Sequence, residues 1–159
     1  MSFRVGIGYD VHKLQAGYNL CLGGIVIDHS KGTVGHSDGD VLIHAIIDAL
    51  FGAAGLADIG TWFPDTDAEF KDIDSKVLLQ KAIQIIADEG YSIVNIDSTI
   101  CLQNPKIKSY IVTMRQVLSE QMSIELGQIS VKATTTEKLG FVGREEGVSS
   151  RAVVLLKKN

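Results

Sequence analysis

A carboxylate and an imidazole occur two residues apart near the N-terminus, in the stretch GIGYDVHKL. β-Branched residues and glycines across residues 3–14 predict a strand. Because side chains two apart on a strand point to the same face, we expect Asp10 and His12 to lie side by side. Such a pair is typical either of an ion pair or of two members of a metal site.

His44 is the candidate for a third metal ligand. It lies one turn into an apolar helix that directly follows a polar loop. Two imidazoles and one carboxylate with one open position form the pattern of a catalytic zinc site. Asp40 and Asp48, one turn before and after His44, lie on the same helical stripe, so either could orient its ring. The alternative is a hydrogen-bonded core histidine and a chance Asp–His pair.

A second polar cluster, VKATTTEKLGF, covers residues 131–141. Its threonine hydroxyls and the ammonium of Lys138 suit phosphate oxygens, and Glu137 offers a carboxylate to Mg²⁺, which takes few protein ligands. Together with a zinc site, the cluster suggests a diphosphate held between two cations. Alone, it is better explained as a strand followed by an exposed Glu–Lys pair.

Two further loops could contact a sugar or a base. The loop DIGTWFPDTD, residues 58–67, combines three carboxylates with an aromatic pair, and its spacing does not fit an EF-hand;. In LQNPKIK, residues 102–108, backbone groups beside Pro105 could contact a base edge. The alternatives are an acidic turn anchored by Trp62 and Phe63, and an ordinary strand-to-helix turn, which we favour when 102–108 is considered alone.

The remaining pattern predicts one domain, residues 1–159, built from strands and helices. An α+β fold is expected: a two-layer sandwich of a mainly antiparallel or mixed sheet with three helices on one face. The predicted elements are a strand over 3–14, a hairpin over 18–28, a polar loop over 28–40, a helix over 40–56, a loop over 57–74, a helix over 74–90, a strand over 91–103, a helix over 106–122, a strand over 128–136, a loop or helical turn over 137–147 and a strand over 148–158;.

Composition argues against several classes of function. The net charge of −4 lacks the basic footprint of a nucleic-acid-binding protein, and no apolar stretch is long enough to span a membrane;. We recognise no signal peptide, and we expect Cys21 and Cys101 to be buried free thiols. A cytoplasmic protein is therefore expected, with a bacterial cytosol favoured and with neither nucleic acid nor membrane as a partner.

The stretches DVH, HSDGDVLIHAIIDAL, ADIGTWFPDTD and VKATTTEKLGFVGREEG together resemble the 2-C-methyl-D-erythritol 2,4-cyclodiphosphate synthase family of the non-mevalonate isoprenoid pathway. The resemblance runs from about residue 3 to residue 157. It implies a homotrimer of α+β subunits with active sites between the subunits. The implied enzyme is a phosphorus–oxygen lyase, in which the 2-phosphate of 4-diphosphocytidyl-2-C-methyl-D-erythritol 2-phosphate attacks the β-phosphorus and releases CMP.

The resemblance also implies roles for individual residues. Asp10, His12 and His44 match zinc ligands, and Glu137 matches the ligand of a second ion, Mg²⁺ or Mn²⁺. The catalytic residues implied are His36 and Thr135, as stabilisers of the transition state. The substrate contacts implied are Asp10, His12, His36, Ser37, Asp58, Ile59, Gly60, Phe63, Pro64, Asp65, Thr66, Asp67, Leu102, Gln103, Asn104, Pro105, Lys106, Ile107, Lys108, Thr134, Thr135, Thr136, Glu137, Phe141 and Arg144.

Two other functions would use part of the same residues. A metal-dependent phosphohydrolase of nucleotide diphosphates would use the same zinc to activate water. A trimeric binding module with a structural zinc would need a fourth protein ligand, and no cysteine is obvious for that position. The resemblance further implies an axial cavity that holds a prenyl diphosphate in some relatives, with Tyr9, Arg144 and Arg151 as the lining candidates here.

Overall fold

The fold is built on a mixed sheet, seen in a computed structural model that describes residues 2–159. Among these residues the strands are β1 (Phe3–Ala16), β2 (Leu20–Leu22), β3 (Ile25–Ile27), β4 (Lys31–Val34), β5 (Tyr91–Cys101), β6 (Ile129–Thr134) and β7 (Gly147–Lys158). The α-helices are α1 (Val41–Ala54), α2 (Ile59–Trp62), α3 (Ser75–Asp88), α4 (Ile111–Met122) and α5 (Gly140–Gly143).

Five of the strands form one sheet in the order β4-β1-β7-β5-β6. Neighbouring strands run antiparallel except β5 and β6, which are parallel and are joined by α4. Strands β2 and β3 form a separate hairpin. The prediction of a mainly antiparallel, mixed sheet is confirmed.

The longer helices cover one face of this sheet. Helix α1 packs on β1 and β7, α3 packs on α1 and β5, and α4 packs on β6. Gly6 and Gly8 of β1 are buried beneath α1, whereas Val5 and Ile7, which alternate with them, are exposed on the other face. This alternation is the period-2 pattern of a strand with one covered face. Asp10 and His12 continue the covered series.

Three local predictions needed correction. The polar loop 28–40 contains β4, which pairs with the end of β1. The short sequence KGTV does not by itself predict a strand, because the pairing depends on this tertiary contact. The loop 57–74 contains α2 and a 3₁₀ turn over 68–70. The helix expected over 106–122 starts as a 3₁₀ turn at 108–110 and becomes α-helical only at Ile111.

Two further findings concern membrane-spanning helices and the cysteines. Within residues 2–159, no helix is both long enough and apolar enough to cross a membrane. Cys101 is buried, as expected, but Cys21 is only half-buried, and both thiols are free.

Candidate metal centre and substrate cavities

Asp10, His12 and His44 meet at one end of the sheet, where β1 passes the first turn of α1. The Oδ2 atom of Asp10 lies 2.9 Å from Nε2 of His12 and 3.1 Å from Nδ1 of His44. The two histidine nitrogens are themselves 3.1 Å apart. Three potential ligand atoms therefore form a nearly equilateral triangle, as the spacing of Asp10 and His12 and the position of His44 predicted.

The proton on His12 can be assigned from its other ring nitrogen. Nδ1 of His12 lies 2.9 Å from the carbonyl oxygen of Val34 on β4. A carbonyl oxygen can only accept, so Nδ1 carries a proton, and in the neutral ring Nε2 is the nitrogen whose lone pair faces the triangle. Strand β4, which the sequence did not reveal, thus fixes the orientation of this ring.

The carboxylate of Asp10 carries a perturbed pKa. Burial acts to raise the pKa of Asp10, but hydrogen bonds and charge from the protonated forms of His12 and His44 outweigh it and hold the pKa at about 2. For His12, burial acts to lower the pKa, and the hydrogen bond and charge of Asp10 reverse this and raise it. A negative charge is therefore maintained at one corner of the triangle, on the carboxylate of Asp10.

The donor set fits a divalent cation. In a tetrahedral zinc site with bonds of about 2.0–2.1 Å, any two donor atoms are about 3.3 Å apart. The ligand atoms of Asp10, His12 and His44 are about 3 Å apart, which is close to that spacing, so the three groups could hold a metal ion. Three converging atoms rich in lone pairs are favourable only with a proton or a cation between them.

The prediction that Asp40 or Asp48 orients the ring of His44 was wrong. The carboxylate of Asp40 caps α1 and accepts from the backbone N–H groups of Gly23, Gly24 and Ile43. The carboxylate of Asp48 accepts from the N–H of Ile59 instead. Both residues lie on the helical stripe of His44, but backbone donors from other segments engage them.

The hydroxyls of Ser37 and Ser75 lie beside His44 instead. Its Nε2 atom is 3.1 Å from Oγ of Ser37 and 2.9 Å from Oγ of Ser75, the first residue of α3. Ser75 was missed because only the packing of α3 on α1 brings it to the site.

A cavity of about 380 Å³ opens over the three metal-ligand candidates. It brings together residues from the loop before α1, from α2 and from the loop after it. Two members, Phe70 and Leu78, were not anticipated, and nothing local in their sequence indicates a cavity. The other lining residues, all expected near substrate or metal, are Asp10, His12, His36, Ser37, His44, Ile59, Gly60, Phe63, Pro64 and Asp65.

Three expected members of this loop do not line the cavity. The carboxylate of Asp58 caps α2 by accepting from the N–H and hydroxyl of Thr61, each at 2.8 Å. The carboxylate of Asp67 accepts from the N–H of Glu69 at 2.9 Å. Thr66 is exposed between them. Asp58 and Asp67 therefore shape the loop in this structure, whereas Asp65 faces the cavity.

A second, smaller cavity of about 150 Å³ lies where β5 and β6 end. Leu102, Pro105, Lys106, Ile107, Lys108, Thr134 and Thr135 line it, together with Ala133, which was not predicted. The expected base-contacting segment and the expected phosphate-binding strand end thus face one space. Two other residues of the expected base-contacting segment do not line this cavity. The side chain of Gln103 accepts from the N–H of Lys138, and that of Asn104 donates to Glu145.

The loop that carries Glu137 has an unusual backbone. Glu137 and Lys138 both adopt the left-handed region, with φ of 53° and 64°. Two consecutive non-glycine residues in that region cost free energy and are enriched at functional sites. A Cβ on Gly143 would lie 2.1 Å from the carbonyl carbon of Lys138, so the turn of α5 supports this loop only because residue 143 is glycine.

Around this loop, the remaining predicted residues are exposed or self-paired. The hydroxyl of Thr135 lies 3.3 Å from a carboxylate oxygen of Glu137, and that of Thr136 donates to the carbonyl of Leu139. Thr134 donates to the carbonyl of Thr135. Phe141 is exposed, and Arg144 forms a two-bond ion pair with Glu146.

The sheet register separates the two cavities within one chain. Asp10 on β1 pairs with Ser150 on β7, Ser150 pairs with Ile100 on β5, and Ile100 pairs with Ala133 on β6. Three strand spacings therefore separate the backbones of Asp10 and Ala133, or about 14 Å. The metal group and the second cavity lie on the same row of the sheet, with the two strands β7 and β5 between them.

Comparison with known proteins identifies the family. The YgbB family model matches residues 3–157. A Bacteroides fragilis protein named 2-C-methyl-D-erythritol 2,4-cyclodiphosphate synthase is 58% identical over 158 residues, 99% of each chain.

Two solved structures are similar to this chain in both sequence and fold. The bifunctional IspDF of Campylobacter jejuni has 42% identity and a TM-score of 0.96, with 99% of this chain and 43% of that chain covered. A CDP complex of Plasmodium falciparum IspF has 35% identity and a TM-score of 0.87, with 99% and 97% covered. With a family model and a full-length relative in agreement, this chain belongs to the YgbB family.

Proposed function

We propose that this chain converts 4-diphosphocytidyl-2-C-methyl-D-erythritol 2-phosphate to 2-C-methyl-D-erythritol 2,4-cyclodiphosphate and CMP. The name of the Bacteroides fragilis relative, 58% identical over nearly its whole length, supports this product. The observation that carries the proposal is the triangle of Asp10, His12 and His44, which lines a cavity of about 380 Å³. Such a site can hold a cation against a phosphate group.

The metal ions proposed follow from the donor chemistry. Two imidazoles and one carboxylate, with space for a further ligand, favour Zn²⁺ at Asp10, His12 and His44;. Glu137, a single exposed carboxylate beside threonine hydroxyls, suits Mg²⁺ or Mn²⁺, which bind through few carboxylates and through substrate phosphates;. A bound ion of either kind would supply Lewis-acid polarisation of phosphate oxygens.

The second cavity is the proposed nucleotide site. The structures of two relatives are described as CDP complexes, which indicates that members of this family bind the cytidine diphosphate portion. Segment 102–108 lines the cavity with apolar side chains and two lysines, and Thr134 and Thr135 line its other wall. Hydroxyls and ammonium groups suit diphosphate oxygens, and the apolar part suits a base.

The proposed reaction needs alignment and charge neutralisation more than covalent help from the protein. An oxygen of the 2-phosphate forms a bond to the β-phosphorus. The bond from that phosphorus to the oxygen bridging to the α-phosphorus breaks, and CMP leaves with the electron pair. No general base is required, because a phosphate monoester is largely ionised at neutral pH. His36 in the first cavity and Thr135 in the second then donate hydrogen bonds to the reacting phosphates.

We further propose that the active site forms between subunits of a homotrimer. The diphosphate must reach both the metal group at Asp10 and the nucleotide site at Ala133, but the backbones of these positions are about 14 Å apart in one chain;. A diphosphate spans less than half of that distance. Bringing the metal face of one copy against the nucleotide face of the next removes this mismatch.

The uncovered face of the sheet supports association of the copies. A stripe of apolar side chains runs along β1 on the face away from the helices, with Val5 69% and Ile7 70% exposed. An apolar patch of this kind marks an interaction surface on a water-soluble domain. The stripe consists of Phe3, Val5, Ile7, Tyr9 and Val11, with Val153 of β7 beside it.

An axial anion site is the remaining part of the proposal. On the uncovered face, the guanidinium of Arg151 lies 5.1 Å from the ring centroid of Tyr9, next to the apolar stripe. A prenyl diphosphate would place its diphosphate near Arg151 and Arg144 and its tail along the stripe. Removing both arginines should abolish binding of prenyl diphosphates to the assembled protein, and unchanged binding would exclude this ligand site.

A bacterial cytoplasmic setting is also proposed. The Bacteroides fragilis relative is bacterial, and the free thiols of Cys21 and Cys101 suit a reducing compartment;. Cell fractionation with an antibody against the chain would test this assignment.

The deciding experiment is ³¹P NMR of the purified protein with the proposed substrate, Zn²⁺ and Mg²⁺. CMP together with two coupled resonances of a cyclic diphosphate is the expected result. CMP with only open-chain phosphates would instead indicate hydrolysis, with water as the nucleophile. Absence of turnover by a protein that retains zinc would contradict the proposed substrate.

A further inference from the structure

Ser75 is buried beside the metal group although it contributes no ligand atom. It is the first residue of α3, is 0% exposed, and its Oγ lies 2.9 Å from Nε2 of His44. The metal-facing nitrogen of His44 is the other one, Nδ1. Ser75 therefore contacts the side of the imidazole that points away from the metal position.

The hydrogen bonds of Ser75 leave only one direction for its contact with His44. The carboxylate of Asp38 holds Ser75 with both oxygens: Oδ2 accepts from the backbone N–H at 3.0 Å, and Oδ1 accepts from the hydroxyl. Because the only hydroxyl hydrogen of Ser75 points to Asp38, its oxygen can only accept from His44. Nε2 of His44 therefore carries a proton, and in the neutral ring Nδ1 presents its lone pair to Asp10 and His12.

From this geometry we propose that Ser75 is a positioning residue of the metal centre, which relays the carboxylate of Asp38 to His44 and fixes the tautomer that binds metal through Nδ1. The inference rests on the proposed metal-dependent function and deepens it. Carboxylates that orient a metal-bound histidine usually contact the ring directly. Here one hydroxyl stands between the carboxylate and the ring.

Asp38 is itself held in place by the backbone. Its N–H donates to the carbonyl of Ile73, and its Oδ1 accepts from the N–H of Asp40, each at 3.1 Å. A second backbone hydrogen bond joins the same two segments, because the N–H of Asp72 donates to the carbonyl of His36 at 2.8 Å. The loop before α1 and the start of α3 are thus joined independently of the serine hydroxyl, so removing that hydroxyl should leave the backbone in place.

Ser37, the other hydroxyl near Nε2 of His44, does not replace this relay. Its Oγ is 3.1 Å from Nε2, but no carboxylate accepts its hydrogen among the hydrogen bonds of residues 2–159. It can therefore either accept from Nε2 or donate to it. Without Ser75, both tautomers of His44 become accessible, and one of them blocks the metal-facing nitrogen.

Two variants test the relay with different expected signatures. Ser75→Ala removes the acceptor, so the zinc dissociation constant should rise roughly 10–100-fold, in line with other losses of outer hydrogen bonds. Asp38→Asn leaves the serine in place, but its amide can donate to Oγ, and the hydroxyl hydrogen then turns toward Nε2. That variant should shift His44 to the Nδ1–H tautomer, as a carboxylate-to-amide change does in a catalytic triad.

The measurements are zinc titration against a competing chelator and ¹⁵N NMR of the histidines in the metal-free protein. The latter is done in weakly alkaline solution, above the ordinary imidazole pKa of about 6.5. Ser119→Ala is the matched control, because Ser119 is a buried helical serine whose hydroxyl donates only within α4. The native protein and this control should show His44 protonated at Nε2 and should bind zinc equally well.

The outcomes separate this inference from the proposed function. Tight zinc binding by the native protein, with unchanged affinity and tautomer in folded Ser75→Ala, would overturn the relay and leave the metal centre intact. If Ser75→Ala does not fold, an unchanged His44 tautomer in Asp38→Asn would overturn it equally. A native protein that binds no zinc would overturn both the inference and the proposed function.

Discussion

Gly8 of β1 and Ala45 of α1 lie in direct backbone contact. A Cβ on Gly8 would be 1.9 Å from the carbonyl oxygen of Ala45, and one on Gly6 would be 2.0 Å from that of Ala49. Helix α1 therefore rests on the strand with no side chain between them. Since His44 directly precedes Ala45, this close approach sets the distance from its ring to Asp10 on the same strand.

Replacing Gly8 by alanine should damage both the core and the metal centre. The methyl group cannot be accommodated without moving α1 from β1, and overpacking of this kind costs about 3 kcal/mol of the free energy of unfolding. The displacement carries His44 away from Asp10, so zinc affinity should fall as well. Urea denaturation and zinc titration of the Gly8→Ala protein measure the two effects.

Gly127→Ala is the control for this prediction. No atom outside its chain neighbours lies within 4 Å of a Cβ at Gly127, so the change in unfolding free energy should stay within about 0.5 kcal/mol;. If Gly8→Ala were as stable as Gly127→Ala and bound zinc normally, the close approach would have no part in placing His44.

The sequence predicted the parts of the site that depend on local geometry. Asp10 and His12 share a face because a strand has a period of two, and His44 could be placed because it opens a strongly patterned helix. The order of the long strands and helices followed from the same periodicities.

What the sequence did not reveal depends on contacts between distant segments. Nothing local distinguishes Asp40, which joins the hairpin turn to α1, from Asp38, which holds Ser75 on α3. Asp40 and Asp48 lie one turn from His44, as the helical periodicity indicates, but their carboxylates accept hydrogen bonds from backbone N–H groups of other loops. Strand β4 was missed because its pairing with β1, rather than its own composition, makes it a strand.

Asp40→Asn should destabilise the fold more than its small change in shape suggests. Oδ1 accepts from the N–H groups of Gly23 and Ile43, each at 3.0 Å, and Oδ2 accepts from Gly24 at 2.7 Å. An amide offers only one acceptor oxygen, so its NH₂ group would face a buried N–H donor. Leaving such groups unpaired costs about 1–3 kcal/mol, which chemical denaturation would reveal.

The comparison for that prediction is Asp74→Asn at the start of α3. Asp74 is an exposed N-cap that accepts from the N–H of Lys76 at 2.8 Å, and asparagine caps helices about as well as aspartate;. Its change in unfolding free energy should be under about 0.5 kcal/mol. Equal losses in both variants would mean that the buried contacts of Asp40 add nothing to its role as a cap.

Gly143→Ala should disturb the nucleotide site and leave the metal triangle intact. A Cβ there would lie 2.1 Å from the carbonyl carbon of Lys138, so the loop carrying Glu137 must move. Misplacement by about 1 Å can cost a factor of 100 in rate, so turnover should nearly vanish. Calorimetric titration with CDP should show weakened binding, while zinc affinity stays at the native value. Native CDP binding and turnover would show that this loop tolerates displacement.

Mixing two inactive variants tests whether each active site takes parts from two chains. His12→Ala removes a ligand of the proposed zinc ion, and Glu137→Gln removes the proposed ligand of the second metal ion, so each protein alone should be inactive. In trimers reassembled from equal amounts, some interfaces combine the intact Glu137 of one copy with the intact His12 of its neighbour. For random mixing about a quarter of the interfaces are of this kind, so about a quarter of the native activity should return. If both groups served one site within a single chain, no mixture could regain activity, and movement within the subunit would have to bridge the roughly 14 Å between the backbones of Asp10 and Ala133;.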